Sequence, residues 1–173
     1  MIKIEIIGRD KMFDALTPLS AAVIAQAIEK KGYRFYEKAV EAFKVPVIQN
    51  LFITLRDQEK KHYELFSELY NDLIEKGERE LSEDEKNLIV QKANIDAFFL
   101  NMGDITGVKE PEDVLKNGIV AEQKSIEFYN GIKDKYGSKK AKEIFDTIIL
   151  EEQQHEQNLT DMLKLVEERG LYY

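Results

Sequence analysis

The 173-residue sequence contains no cysteine. That one absence excludes disulfides, thiolate metal sites and cysteine nucleophiles. Histidine is almost absent too: the chain has two, so any imidazole chemistry runs through His62 or His155. There are only three prolines and nine glycines, and Pro18, Pro46, Gly77, Pro111, Gly137 and Gly170 fall where a helical protein would break. No stretch approaches the roughly 18 consecutive apolar residues of a membrane-spanning helix. The opening Met1-Ile-Lys-Ile-Glu-Ile-Ile7 alternates charge with hydrophobe and lacks the apolar core of a signal peptide. The expectation is a cytoplasmic protein with no membrane partner. No basic cluster stands out in the sequence and the net charge is −8, which argues against nucleic acid as a partner.

What is present is helical patterning. Apolar residues make up 43% of the chain and charged residues 34%, and the length suits one domain with a substantial core. Residues 1–16 read as an irregular or strand-like lead, and 17–173 as the folded unit. Thr17-Pro18 caps and opens a helix. Leu19, Val23, Ala27, Tyr33, Tyr36, Val40 and Phe43 then recur at helical spacing. Pro46 opens a second helix that runs to about Glu75, and Gly77 stops it. Ser82-Glu-Asp-Glu85 is a capping box for a shorter helix to about Phe99, inside a long crossover. Pro111 opens a third long helix to about Tyr136, and Gly137-Ser138 turns into a fourth, Lys139 to Arg169. The fold class expected is all-α: a four-helix bundle of two hairpins joined by a crossover.

The two hairpins read as copies. AIEKKGYRFY (27–36) and VAEQKSIEFY (120–129) match at Glu, Lys, Phe and Tyr under a shift of 93 residues. The same shift carries Glu59 to Glu152 and His62 to His155. Both histidines therefore sit in Glu-x-x-His, with carboxylate and imidazole one turn apart on one helix face. In each half the lone glutamate and the Glu-x-x-His glutamate flank the turn symmetrically. Each is about 15 residues, or roughly 22 Å of helix, from it. Antiparallel folding sets the two at one height, and pairing the halves brings four glutamates and two histidines together. Four buried carboxylates repel one another and each costs several kcal/mol to desolvate. Two divalent cations would neutralise them. Mixed carboxylate and imidazole donors suit iron or manganese, and zinc could also occupy such a site.

One Glu and then Glu-x-x-His, repeated over two hairpins, resembles the ferritin-like di-iron carboxylate proteins. AIE…GYRFYEKA in the first helix and EFY in the third resemble the rubrerythrin branch. The resemblance spans 17–169. It implies Glu29, Glu59, His62, Glu122, Glu152 and His155 as ligands of two iron ions, with Glu59 and Glu122 not distinguished as bridging or terminal. It also implies a homodimer that reduces hydrogen peroxide or dioxygen with electrons from a separate carrier such as a rubredoxin, since the chain has no cysteines for a rubredoxin domain. Ferrous iron binding and oxidation for storage or delivery is the alternative. The chain departs from the branch at Ser125, where rubrerythrins carry a further glutamate. Only Leu171-Tyr-Tyr173 follow the last helix, which argues against a ferritin-type storage shell.

Several residues carry open readings. Tyr33, Tyr36 and Tyr129 read as core aromatics whose hydroxyls could reach a ligand. Ala25 and Gly118 would leave room for a small oxidant or permit close packing. Glu151 and Glu156, beside His155, read as solvated. Phe98-Phe99 would cover a bundle end or form a dimer contact.

Overall fold

The computed structural model describes residues 16–95 and 110–170. The regular elements there are all helical: α1 (Pro18–Ala42), α2 (Pro46–Glu75), α3 (Glu83–Ala93), α4 (Pro111–Ile132) and α5 (Lys139–Arg169), with a 3₁₀ turn at Lys133–Lys135. The expected lead, apart from Leu16, and the Phe98-Phe99 pair lie outside the described residues.

The helices begin and end where local chemistry stops them. The Thr17 hydroxyl accepts from the Ser20 N–H at 3.2 Å, and the Ser20 hydroxyl accepts from the Thr17 N–H at 2.9 Å. Ser82 and Glu85 make the same reciprocal pair at the head of α3. Ser138 accepts from the Ala141 N–H at the start of α5. Gly170 ends α5 in the left-handed region at φ 62°. Two ends differ from expectation. α3 stops at Ala93, well short of Phe99, because Asn94 turns left-handed at φ 49° and ψ 46°. α4 stops at Ile132, and the 3₁₀ turn after it carries Tyr136 out of helical register. The Tyr136 hydroxyl then donates to the Pro18 carbonyl at 2.7 Å.

That bond fixes the topology. α1 packs along α2 and α4 along α5, as antiparallel hairpins, and the hairpins meet through α1–α4 and α2–α5. Tyr136 lies in the α4–α5 turn and reaches the first residue of α1, so the two hairpin turns are at opposite ends of the bundle. Two aromatic groups fill the interior. Tyr36 stacks on Phe52, with ring centroids 6.1 Å apart, beside Phe35 and Phe43. Phe145 packs against Phe66 at 5.4 Å and Tyr136 at 4.9 Å, with Tyr129 against both phenylalanines. α3 lies on α1, beside a smaller apolar group of Leu19, Val23 and Tyr70. Among the described residues no helix is long and apolar enough to cross a membrane.

Phe145 is fully buried and Leu150, five residues on, is 65% exposed. Phe145→Ala should therefore cost about 3–5 kcal/mol, and Leu150→Ala no more than about 0.5 kcal/mol. Urea denaturation of both variants in one metallation state checks this, and similar losses would contradict the packing described.

Candidate metal centre

Glu29 projects from α1, Glu59 and His62 from α2, Glu122 from α4, and Glu152 and His155 from α5. All six are buried. Helical spacing of three puts each histidine one turn from its glutamate, and the bundle brings the two turns together. The imidazole centroids are 5.6 Å apart, with 19° between the ring planes.

The donors form two overlapping sets. Glu29, Glu59, His62 and Glu152 make one, and Glu59, Glu122, Glu152 and His155 the other; within each, one donor atom per residue lies within 4.8 Å of the rest. Glu59 and Glu152 belong to both. His62 turns Nδ1 inward, 3.1 Å from Glu152 Oε1 and 3.5 Å from Glu29 Oε2. His155 Nδ1 is 2.8 Å from Glu152 Oε2, 3.7 Å from Glu59 Oε1 and 3.8 Å from Glu122 Oε1.

The donor set fits cations better than it satisfies itself. Glu29 Oε2, Glu152 Oε2 and His155 Nδ1 are buried without a hydrogen bond, although His155 Nδ1 and Glu152 Oε2 nearly touch. Atoms this close but out of hydrogen-bond alignment converge on a common point rather than on each other. Left so, each buried polar atom would cost about 1–3 kcal/mol. With oxygen and nitrogen donors and no sulfur, the sets could hold iron, manganese or zinc.

Sequence comparison agrees with this geometry. The rubrerythrin family model matches residues 8–70 and 23–163. The chain belongs to the rubrerythrin family. No curated protein and no solved structure matched it.

Around the six side chains, this rubrerythrin-family protein has neighbours that sequence reasoning ranked otherwise or missed. Tyr36 donates to Glu122 Oε1, and Tyr129 donates to Glu29 Oε1. Both hydroxyls cross between hairpins to a lone glutamate, so both tyrosines are more than core aromatics. Tyr33 instead turns outward and donates to Glu37 at 3.0 Å. Glu151 is not simply solvated: its side chain is 45% exposed, yet Oε2 lies 2.7 Å from His62 Nε2. Gly118 permits packing, since a Cβ there would sit 3.1 Å from Leu159 Cδ1. Gly32 matters more. A Cβ at Gly32 would lie 2.8 Å from Glu59 Oε2, so only glycine leaves that carboxylate where it is. Gly32 and Ser125, equivalent under the 93-residue shift, line a cavity of about 10 Å³ beside Glu59 and Glu122, about the size of one water. The only signal for Gly32 in the sequence is its place one turn after Glu29.

The electrostatics without a cation are frustrated. Burial, with Glu152 and Glu29 adding to it, pushes the Glu59 carboxyl well above its usual range. Burial and then Glu152 push Glu122 up to about 8, with His155 pulling partly back. Burial opposes ionisation of Glu152 as well, but His155 and His62 outweigh it and hold this carboxyl well below the usual range. Burial opposes charge on the imidazoles too. Glu152 and Glu29 overcome it at His62, pushing it up to about 12, and Glu122 and Glu152 do so at His155, pushing it up to about 10.

These shifts set a pH dependence for the metal-free protein. Folded Glu122 keeps its proton up to about 8, whereas unfolded it loses it near 4.5, so stability falls as pH rises through that window. His155 and His62 stabilise fully below 6.5 and lose that contribution toward about 10 and about 12. Glu152 acts oppositely, but only in acid below its ordinary value of 4.5. The melting temperature of chelator-treated protein should fall from about pH 5 to about pH 9, and the gain on adding metal should grow, because bound ligands must be deprotonated. Circular-dichroism melts across that range check both trends; a metal-free melting temperature that rises with pH would contradict the first.

Proposed function

We propose that this protein holds two iron ions among its four long helices and reduces hydrogen peroxide with electrons from a separate carrier. The observation that carries this reading is the pair of overlapping donor sets sharing Glu59 and Glu152. Those two carboxylates would bridge the ions. Glu29 with His62 would complete one end, and Glu122 with His155 the other. Manganese or zinc suits the same donors; family membership favours iron. The ions, when bound in the two-plus state, would supply electrons and Lewis acidity for cleaving the oxygen–oxygen bond.

The chain's own groups do the rest. Burial and neighbouring carboxylates hold the Tyr36 and Tyr129 hydroxyls well above the usual tyrosine range. They stay protonated and keep donating to Glu122 and Glu29. Glu29 Oε1 is occupied by Tyr129, which leaves Oε2 for a cation. Glu151 accepts from His62 Nε2 and so directs the Nδ1 lone pair inward. The packed helices exclude bulk water from all six donors. Residues 17–173 would act as one such unit in a cytoplasmic protein, and the family resemblance implies a homodimer.

A second reading, ferrous iron capture and oxidation for storage or delivery, draws on Ser125. This buried serine lines the small cavity beside Glu59 and Glu122, where the resemblance leads one to expect a further carboxylate. Stopped-flow oxidation of the anaerobic two-plus protein separates the two. Peroxide should react about tenfold or more faster than dioxygen; equal rates would favour iron oxidation instead.

A further inference from the structure

No basic cluster stands out along the sequence, but the fold makes one. Lys30, Tyr33, Lys60 and Tyr63 line a shallow groove of about 280 Å³ on the outer face of α1 and α2. It shares Lys30 and Tyr63 with a hollow of about 670 Å³ toward α3, which adds Lys31, Arg34 and Lys86 to the lining. Glu83 pairs with Lys86 at 2.8 Å and Glu37, still charged, accepts from the Tyr33 hydroxyl; set against these two acids are Lys30, Lys31, Arg34, Lys60 and Lys86. Tyr63 is 37% exposed. On a chain of net charge −8, this is a local excess of positive charge.

Its position ties it to the metal centre. Lys30, Lys60 and Tyr63 directly follow Glu29, Glu59 and His62, so the groove is one residue along the chain from three of the six donors. The other hairpin keeps one of these cations, with Lys124 in the place of Lys31, but not the groove residues. Under the 93-residue shift, Lys30 and Lys60 correspond to Gln123 and Gln153, Tyr33 to Ile126, Arg34 to Glu127 and Tyr63 to Glu156. The two hairpins repeat the buried donors but not Lys30, Tyr33, Lys60 or Tyr63, so the groove is not a by-product of the buried pattern.

We propose that the Lys30–Tyr33–Lys60–Tyr63 face of α1 and α2 is the docking surface for an acidic one-electron carrier protein. This rests on the reading that electrons reach the centre from outside. Charge complementarity selects the partner: lysines steer an acidic surface, and the two tyrosines give it an apolar contact. Two encounters deliver two electrons, which with two protons convert one hydrogen peroxide into two waters, and the carrier is oxidised twice.

The test uses the iron-loaded protein and, as probe, a rubredoxin of strongly negative net charge. Lys30→Gln with Lys60→Gln installs the residues the other hairpin carries. Lys116→Gln with Lys164→Gln makes the same change in net charge on α4 and α5. Calorimetry with oxidised rubredoxin gives Kd, and stopped flow with reduced rubredoxin gives the rate of electron delivery. The first double variant should weaken binding and slow delivery about tenfold at low ionic strength, with the difference vanishing near 1 M salt. The second should match the unmodified protein. Unchanged Kd and rate in the first variant, or equal losses in both, would overturn the proposal. So would a changed sedimentation coefficient in the first variant, because a second copy would then cover this face. Peroxide oxidation after dithionite reduction should be the same in all three proteins. Failure of that reaction in the unmodified protein, with salt-dependent rubredoxin binding intact, overturns the peroxide reading and leaves the docking surface standing.

Discussion

Four carboxylates buried in one helical interior are the constraint on which this structure depends. Desolvation and mutual repulsion oppose them, each by several kcal/mol. Two imidazoles cannot offset that, and the shifts show it: Glu59 and Glu122 are driven toward the neutral form while Glu152 is held ionised between two histidines. A fold that keeps such a cluster needs rigid walls around it. The long helices, the aromatic groups at Phe52 and Phe145 and the bond from Tyr136 to Pro18 provide them.

The chain also controls how those carboxylates present themselves. Each lone glutamate is held by a tyrosine from the opposite hairpin, so neither hairpin completes its own surroundings. Gly32 sets how closely α1 approaches Glu59. Glu151 restrains His62 alone, because Gln58 holds the corresponding place beside Glu59, and His155 Nε2 has no hydrogen-bond partner. Buried donors recur across the two halves while their supports and outer faces differ. That difference is where two similar ends of one centre can acquire separate tasks.

Much of this was legible beforehand. The buried six were readable because Glu-x-x-His at helical spacing constrains geometry strongly, and because one shift relates both motifs. Caps at Thr17, Ser82 and Ser138 were readable because capping is local. What escaped depends on how helices approach across sequence separations that local rules do not reach. Tyr36 to Glu122 and Tyr129 to Glu29 are set by the meeting of hairpins. Glu151 looked solvated because its contact comes from α2. Gly32 lies inside the first helical pattern, and nothing along the sequence brings the Glu59 carboxylate against it. The basic groove joins Lys30 to Lys60 across two helices, and no window along the sequence contains both.

In the arrangement proposed above, Glu59 and Glu152 are shared between two ion positions, while Glu29 and Glu122 each serve one. Metal content per chain after iron loading, measured in Glu152→Ala beside Glu122→Ala, decides whether they are. About two ions are expected in the unmodified protein, about one in Glu122→Ala, and close to none in Glu152→Ala. Two ions retained in Glu152→Ala, or the same loss in both variants, would contradict this arrangement.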